Sequence, residues 1–299
     1  MNIMMNKIRE LVNEIRKKKP KKILLQLPEG LKTKALEMME AIEKAGIEVI
    51  LSNNPCYGAC DLPCEEAKML GADLIVHVGH NKFYKNIKTK ILVLYFPWKL
   101  SVSIGNIDLT PIKEKRIGLL ASVQYLDLLK DVSGKLKKNG KKAVIGGQIL
   151  GCWTQNAKKI ANKVDAFLFV GTGEFHSLAI NGKKTYLLDL EKREISHLDS
   201  SLFEKQKYAR IFAARDAKAF GILVSSKPGQ FNLEEAEKIK KTLEQRHKKA
   251  FILIMDEINE QKLLGIKADA FINTACPRIT DDRFSKPVIN ACDIKELIV

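Results

Sequence analysis

Cys56, Cys60 and Cys64 stand four residues apart in NNPCYGACDLPCEEAK, residues 53–68, and Cys152, Cys276 and Cys292 follow far downstream. Six cysteines spread over 299 residues are too sparse for a disulfide framework. They fit a reducing compartment, where thiols stay free, bind metal or react. Zinc is one candidate metal, although no C-x-x-C pair exists in the chain. Iron–sulfur ligation is the other. Pro55, Gly58 and Pro63 make residues 53–63 a loop, so a spacing of four does not guarantee a shared face. A cluster held by Cys56, Cys60 and Cys64 alone is the local alternative. The plain reading of any one thiol is a small buried apolar group, and Cys64, Cys292 and Cys56 are read that way.

The elements that must position these thiols repeat. After an amphipathic helix at about 6–19, with Ile8, Leu11, Val12 and Ile15 on one face, KILLQLPEG (22–30), RIGLLASVQ (116–124) and AFGILVSSKPGQ (219–230) each read as an apolar strand entering a polar loop. Their period is about a hundred residues, too long for a solenoid. A helix follows each strand. The first of these helices, LKTKALEMMEAIEKAG, is closed by Gly46, and the third opens with Asn232 as N-cap and Glu235 at N3. A second strand (IEVILSNN, KAVIGGQIL, AFILIMDEI), a third (GADLIVHVGH, VDAFLFVGTG, ADAFINTAC) and a fourth (KILVLYF, KTYLLDL, KPVINACD) complete each copy. Such uniformly apolar strands suit parallel sheets covered on both faces.

The fold class expected is therefore α/β, with three pseudo-repeated βα domains, 1–105, 106–215 and 216–299. Ligands of open parallel sheets bind beyond the carboxyl ends of strands. Cys60 follows the second strand of the first copy, Cys152 the second strand of the second, and Cys276 the third strand of the third. Three copies facing one another would enclose a central iron–sulfur site, with one thiolate from each.

The formal charge of +16 raises a nucleic-acid partner. Lysines occur in short groups throughout, such as RKKKPKK at 16–22 and KKNGKK at 137–142, which reads as a solvated surface. No apolar run spans a bilayer and MNIMMNKIRE lacks the pattern of a signal peptide, so the expected location is the cytoplasm.

Seven segments then carry a resemblance. PEGL at 28–31, YGACD at 57–61, GH at 79–80, GQILGC at 147–152, GTGEFH at 171–176, KPGQ at 227–230 and ACPR at 275–278 together resemble the archaeal diphthamide synthase subunit. The likeness runs in order through nearly the whole chain. It implies transfer of the 3-amino-3-carboxypropyl group of S-adenosylmethionine to carbon 2 of a histidine imidazole in translation elongation factor 2, the first step of diphthamide formation. It also implies a [4Fe-4S] cluster on Cys60, Cys152 and Cys276, non-conventional radical chemistry that releases methylthioadenosine, a homodimer and an unidentified electron donor. Candidate S-adenosylmethionine contacts are Gln26, Pro28, Glu29, Gly30, Gly171, Gly173, His176, Lys227 and Gln230. Arg278 could grip a carboxylate or serve a structural ion pair, and His80 and His176 could be satisfied core histidines. Ser177 departs from the proline expected after FH. The rivals are a quinolinate synthase-like iron–sulfur enzyme and a basic, metal-stabilised RNA- or ribosome-binding protein.

Overall fold

The computed structural model describes residues 3–297 except 86 and 181. Helix α1 (Ile3–Lys17) buries Ile8, Leu11, Val12 and Ile15, the face its periodicity requires. It packs into the first core with residues of β1 (Lys22–Gln26), α3 (Ala35–Glu43), β2 (Glu48–Ser52), β3 (Leu74–Val78) and β4 (Leu92–Phe96). Between β1 and α3 lies the single turn α2 (Glu29–Lys32), and α4 (Cys64–Met69) precedes β3. The one helix expected over 31–46 is thus broken at Lys34, whose φ of −107° and ψ of 6° are not helical. The break aims Ala35, Met38 and Ile42 into the core, whereas α2 buries nothing.

The second sheet uses β5 (Arg116–Ala121), α5 (Leu129–Lys138), β6 (Lys142–Gln148), α6 (Gln155–Ile160), β7 (Ala166–Gly171), α7 (Phe175–Leu178), β8 (Thr185–Asp189) and β9 (Glu194–His197). The third follows α8 (Ser201–Ala214) and uses β10 (Ala219–Ser225), α9 (Leu233–Glu244), β11 (Lys249–Met255), α10 (Glu260–Leu263), β12 (Ala270–Asn273), β13 (Val288–Asn290) and α11 (Ile294–Leu297). Sheet orders are β2-β1-β3-β4, β6-β5-β7-β8-β9 and β11-β10-β12-β13. The first four strands of each copy therefore keep one order and pair in parallel. Strand β9 was not expected. Asp189 makes it by accepting the N–H groups of Glu191 (2.9 Å) and Lys192 (3.2 Å), a side-chain turn that folds the chain back after β8. Asn232 is the N-cap of α9, but its side chain donates to the Glu235 carboxylate instead of accepting a backbone N–H.

Two compact units result. One holds residues up to Ile149, Gln155–Gly173 and Lys183–Ser196, and so contains most of the first two sheets. The other holds Leu150–Thr154, Glu174–Gly182 and the chain from His197.

One local device recurs in all three sheets. Asp73 accepts the N–H groups of Lys21 (2.8 Å) and Lys22 (2.9 Å), and Asp269 those of Lys218 and Ala219 (2.9 Å each). Asp165 accepts from the N–H of Arg116 (3.0 Å) and takes its guanidinium as well. Each aspartate precedes the third strand of its copy and clamps the start of the first. Backbone hydrogen bonds hold the Asp73 and Asp269 carboxyls below the usual range, and the Arg116 side chain does so for Asp165.

The PEG turn after β1 and the GH turn after β3 abut in a second constraint. At Gly79, φ is 102° and a Cβ would lie 2.9 Å from Pro28 Cγ. The Glu29–Lys32 pair beside it joins an exposed carboxylate to a half-buried lysine, and such pairs contribute about 0.2–0.5 kcal/mol, so steric fit governs this contact.

Two outcomes follow. Asp269→Ala is expected to lower the melting temperature at pH 7 by about 2 °C, the scale of a weak, solvent-screened interaction in a chain of this size. A depressed carboxyl stabilises above its unfolded pKa and ceases to as pH falls through the folded one, so the difference should begin to narrow below about pH 4. Melting curves at pH 7 and pH 3 check this, and an equal deficit at both would exclude the carboxylate. Gly79→Ala should cost about 1–3 kcal/mol in urea unfolding. Gly30→Ala, where a Cβ meets nothing within 4 Å, is the neutral control.

Candidate functional site

In the first unit the site begins at the carboxyl ends of β1 and β3, where Gln26 and His77 are register partners and both are buried. The Gln26 amide N–H donates to the Asp61 carbonyl (2.5 Å). A carbonyl only accepts, so this bond fixes the amide orientation and leaves Gln26 Oε1 facing His77 Nδ1 at 2.7 Å. His77 Nδ1 must then carry the proton, and its bare Nε2 meets His80 Nδ1 at 3.0 Å. Burial, and secondarily the His80 charge, push the His77 pKa down to about 3, so the ring stays neutral.

The loop carrying Cys56 and Cys60 closes over this pair. Its start is tied down by Glu66, which accepts from Ser52 Oγ (2.7 Å) and Asn54 Nδ2 (2.5 Å), and by Lys32 Nζ on the Asn53 carbonyl (2.9 Å). Cys56 is buried and Cys60 half-buried. Ligand atoms of Cys56, His77 and His80 lie within 4.8 Å of one another. Cys64 begins α4 and packs instead with Leu24, Ala67, Ala72 and Ile75, where burial raises its thiol pKa. The apolar reading of Cys64 matches that environment.

In the second unit, Leu150 and Trp153 exchange N–H···O bonds of 2.9 Å, and Cys152 sits exposed on the turn between them. The Gly151 N–H donates to His176 Nδ1 (2.9 Å), and a Cβ at Gly151 would lie 2.3 Å from the Phe175 ring. GTGEFH therefore contributes its last two side chains to shaping the turn that presents Cys152. Burial holds the His176 pKa below the usual imidazole range.

Cys276 follows β12. Asn273 Nδ2 donates to the Cys276 carbonyl (2.8 Å) and to Asn290 Oδ1 (2.8 Å), and Asn290 Nδ2 donates to Thr280 Oγ1 (3.0 Å). Burial raises the Cys276 pKa, opposed by the Arg278 N–H and by the charges of Arg278 and Lys227. KPGQ and ACPR thus share one electrostatic neighbourhood. Lys227 is itself ion-paired to Glu257, and the Gln230 N–H donates to the Lys227 carbonyl (2.9 Å). Cys292 lies exposed in the turn after β13, which corrects its reading as a buried apolar group; desolvation by its neighbours and the charge of Asp293 raise its pKa to about 11.

Other candidates are less engaged. Glu29 points outward onto Lys32 (2.7 Å), and Arg278 pairs with Asp282 (3.2 Å). Pro28 caps α2, Gly171 ends β7, and Gly173 lies in the loop before α7. Sequence reading missed His77, Asp61, Glu257, Asn273 and Asn290; the fold buries His77 and Asn273 on strands β3 and β12 and Asp61 in the loop before α4, while Asn290, at the end of β13, is half-buried.

The chain is similar to known proteins over nearly its whole length. The sequence model of the family described as "Putative diphthamide synthesis protein" matches residues 27–297. The chain is 32% identical to a 2-(3-amino-3-carboxypropyl)histidine synthase of Pyrococcus horikoshii, over 97% of this chain and 89% of that one. It is 31% identical to the synthase of the same name from Methanocaldococcus jannaschii, over 96% and 87%, and 28% identical to subunit 1 of the Saccharomyces cerevisiae synthase, over 97% and 74%. The crystal structure of Dph2 from Pyrococcus horikoshii with a 4Fe-4S cluster superposes with a TM-score of 0.89, at 32% identity over 97% of this chain and 89% of that one. The match to the family's sequence model spans nine-tenths of the chain and the fold agrees throughout, so the chain belongs to the diphthamide synthesis protein family.

Proposed function

We propose that this chain catalyses the first step of diphthamide formation, moving the 3-amino-3-carboxypropyl group of S-adenosylmethionine onto carbon 2 of a histidine imidazole in translation elongation factor 2. The observation that carries the reading is the placement of Cys60, Cys152 and Cys276 on carboxyl-end loops, one in each copy of the sheet, in a chain of this family. No disulfide engages them, and three soft thiolate donors fit a [4Fe-4S] cluster with one iron open to a small molecule. When bound, such a cluster supplies one electron to break the carbon–sulfur bond of the sulfonium. In the net reaction methylthioadenosine leaves, the imidazole carbon gains the aminocarboxypropyl group and its proton is lost.

The chain's own residues hold and orient. Lys227, braced by Glu257, sets positive charge beside Cys276 and suits the methionine carboxylate, with Gln230 next to it. Backbone N–H groups around Gly171 and Gly173 suit a carboxylate or ribose. His176 and Phe175 hold the Cys152 turn. Gln26 and Pro28 act by building the loop contacts around Cys60, and Glu29 and Gly30 belong to the same turn. On this reading the three sheets are three copies of one domain, 1–105, 106–215 and 216–299, and the enzyme is a cytoplasmic homodimer served by a separate electron donor. Its charge of +16 then favours docking of a protein substrate. Among the described residues no helix is long and apolar enough to cross a membrane.

An anaerobic reaction of reconstituted, dithionite-reduced protein with S-adenosylmethionine and elongation factor 2 tests the reading through methylthioadenosine release and the mass of the factor. Cys60→Ala, Cys152→Ala and Cys276→Ala should each cut turnover by more than about 100-fold, beyond what loss of a hydrogen-bond partner to a ligand costs. Cys64→Ala and Cys292→Ala should retain it. Retention at Cys152 and Cys276 would sink the three-loop ligation.

A further inference from the structure

We propose that Cys56, His77 and His80 form a second metal site, which takes a borderline-soft divalent ion of the zinc type and pins the loop that carries Cys60. The site stands independently of the ligation proposed for Cys60, Cys152 and Cys276.

Geometry comes first. One sulfur and two imidazole groups place their donor atoms within 4.8 Å of one another. Around a tetrahedral zinc ion, with bonds of about 2.3 Å to sulfur and 2.0–2.1 Å to nitrogen, such atoms stand about 3.3–3.6 Å apart. The His77 Nε2 to His80 Nδ1 separation of 3.0 Å needs only a small opening.

The ring chemistry agrees. His77 Nδ1–H donates to Gln26 Oε1, which leaves the lone pair of Nε2 directed toward His80. Metal-bound imidazoles are held in this way, with the far ring nitrogen donating to a fixed acceptor. The acceptor here is itself locked, because the other end of the Gln26 amide is bonded to the Asp61 carbonyl. Without metal, a proton on His80 Nδ1 bridges the two rings; a cation takes its place.

The donor set selects the ion. A thiolate with two imidazoles suits zinc, cobalt or ferrous iron and excludes the oxygen-seeking magnesium and calcium. Three protein ligands leave a fourth position, and half-exposed His80 marks the side on which water completes it.

The alternative is a polar core network with a packed thiol beside it. Cys64 shows what a packed thiol looks like in this chain, set among Leu24, Ala67, Ala72 and Ile75. Cys56 lies against two imidazoles instead. An ion there joins the 53–63 loop to the carboxyl end of β3, four residues before Cys60.

The test uses the full chain with Cys60, Cys152 and Cys276 all replaced by Ala, titrated anaerobically with Co2+. We expect one equivalent to bind with thiolate-to-cobalt charge-transfer absorption and the strong visible bands of four-coordination, and Zn2+ to displace it and raise the melting temperature. Adding Cys56→Ser should abolish the charge-transfer band, and adding His80→Ala should weaken binding by about 100-fold or more. Absence of binding, or a band that survives Cys56→Ser, would overturn the site. Elemental analysis of the cluster-loaded wild-type chain gives a second route should the triple variant fold poorly. One zinc per chain beyond the cluster iron, lost in Cys56→Ser, supports the site. Loss of iron in Cys56→Ser would instead put Cys56 in the cluster, overturning both this site and the ligand set proposed above.

Discussion

The register of the first and third strands in each sheet is the constraint on which the rest depends. Asp73, Asp165 and Asp269 clamp the amino ends, so Ile23 pairs with Leu74, Ile117 with Ala166 and Phe220 with Ala270. A slip of one residue would exchange the faces of a strand. In the first sheet it would separate Gln26 from His77 and with them the anchorage of the loop holding Cys56 and Cys60. The driving energy is burial, since each fully buried Leu, Ile or Phe contributes about 1.5–3 kcal/mol. The aspartates lie at an exposed edge and contribute far less. They select which of several equally apolar registers forms, and that choice decides which side chains emerge where ligands bind.

Much of this frame was legible because apolar strands and their spacing repeat in the sequence. All twelve strands of the threefold pattern appear, with boundaries shifted by a few residues. The covering of each strand was less legible. Uniform apolarity suggested sheets buried on both faces, yet Leu92, Ile145 and Ile254, on the edge strands β4, β6 and β11, are 51%, 47% and 63% exposed. Periodicity reports that a strand has apolar sides, and an edge position follows from sheet order, which no local pattern contains. Strand β9 depends on the side chain of Asp189 and the break in the first helix on a single residue, Lys34, so both escaped pattern reading for a related reason.

The site was legible as motifs and illegible as contacts. PEGL, GH and YGACD read as separate loop segments. In the fold Pro28 packs under Gly79, and Gln26 joins the strand before PEGL to His77 and to the Asp61 carbonyl. A string of residues cannot show that a glutamine at the end of one strand will be buried beside a histidine at the end of another. Once register places them together, the chemistry is forced, because a buried amide between a carbonyl and an imidazole has one orientation that satisfies both.

Surroundings sort the cysteines, which spacing alone could not. The four-residue interval of Cys56, Cys60 and Cys64 suggests one helical face, but the helix begins only at Cys64, and the three thiols enter three environments. Cys64 meets aliphatic side chains, Cys56 meets two imidazoles, and Cys60 stands half-buried on the loop between them. Farther on, Cys276 meets cationic side chains and Cys292 an aspartate, so the first thiolate is favoured over the second by its neighbours' charge. A thiol becomes a ligand through what surrounds it, and those surroundings are assembled by strand register and loop anchorage from residues dozens of positions away.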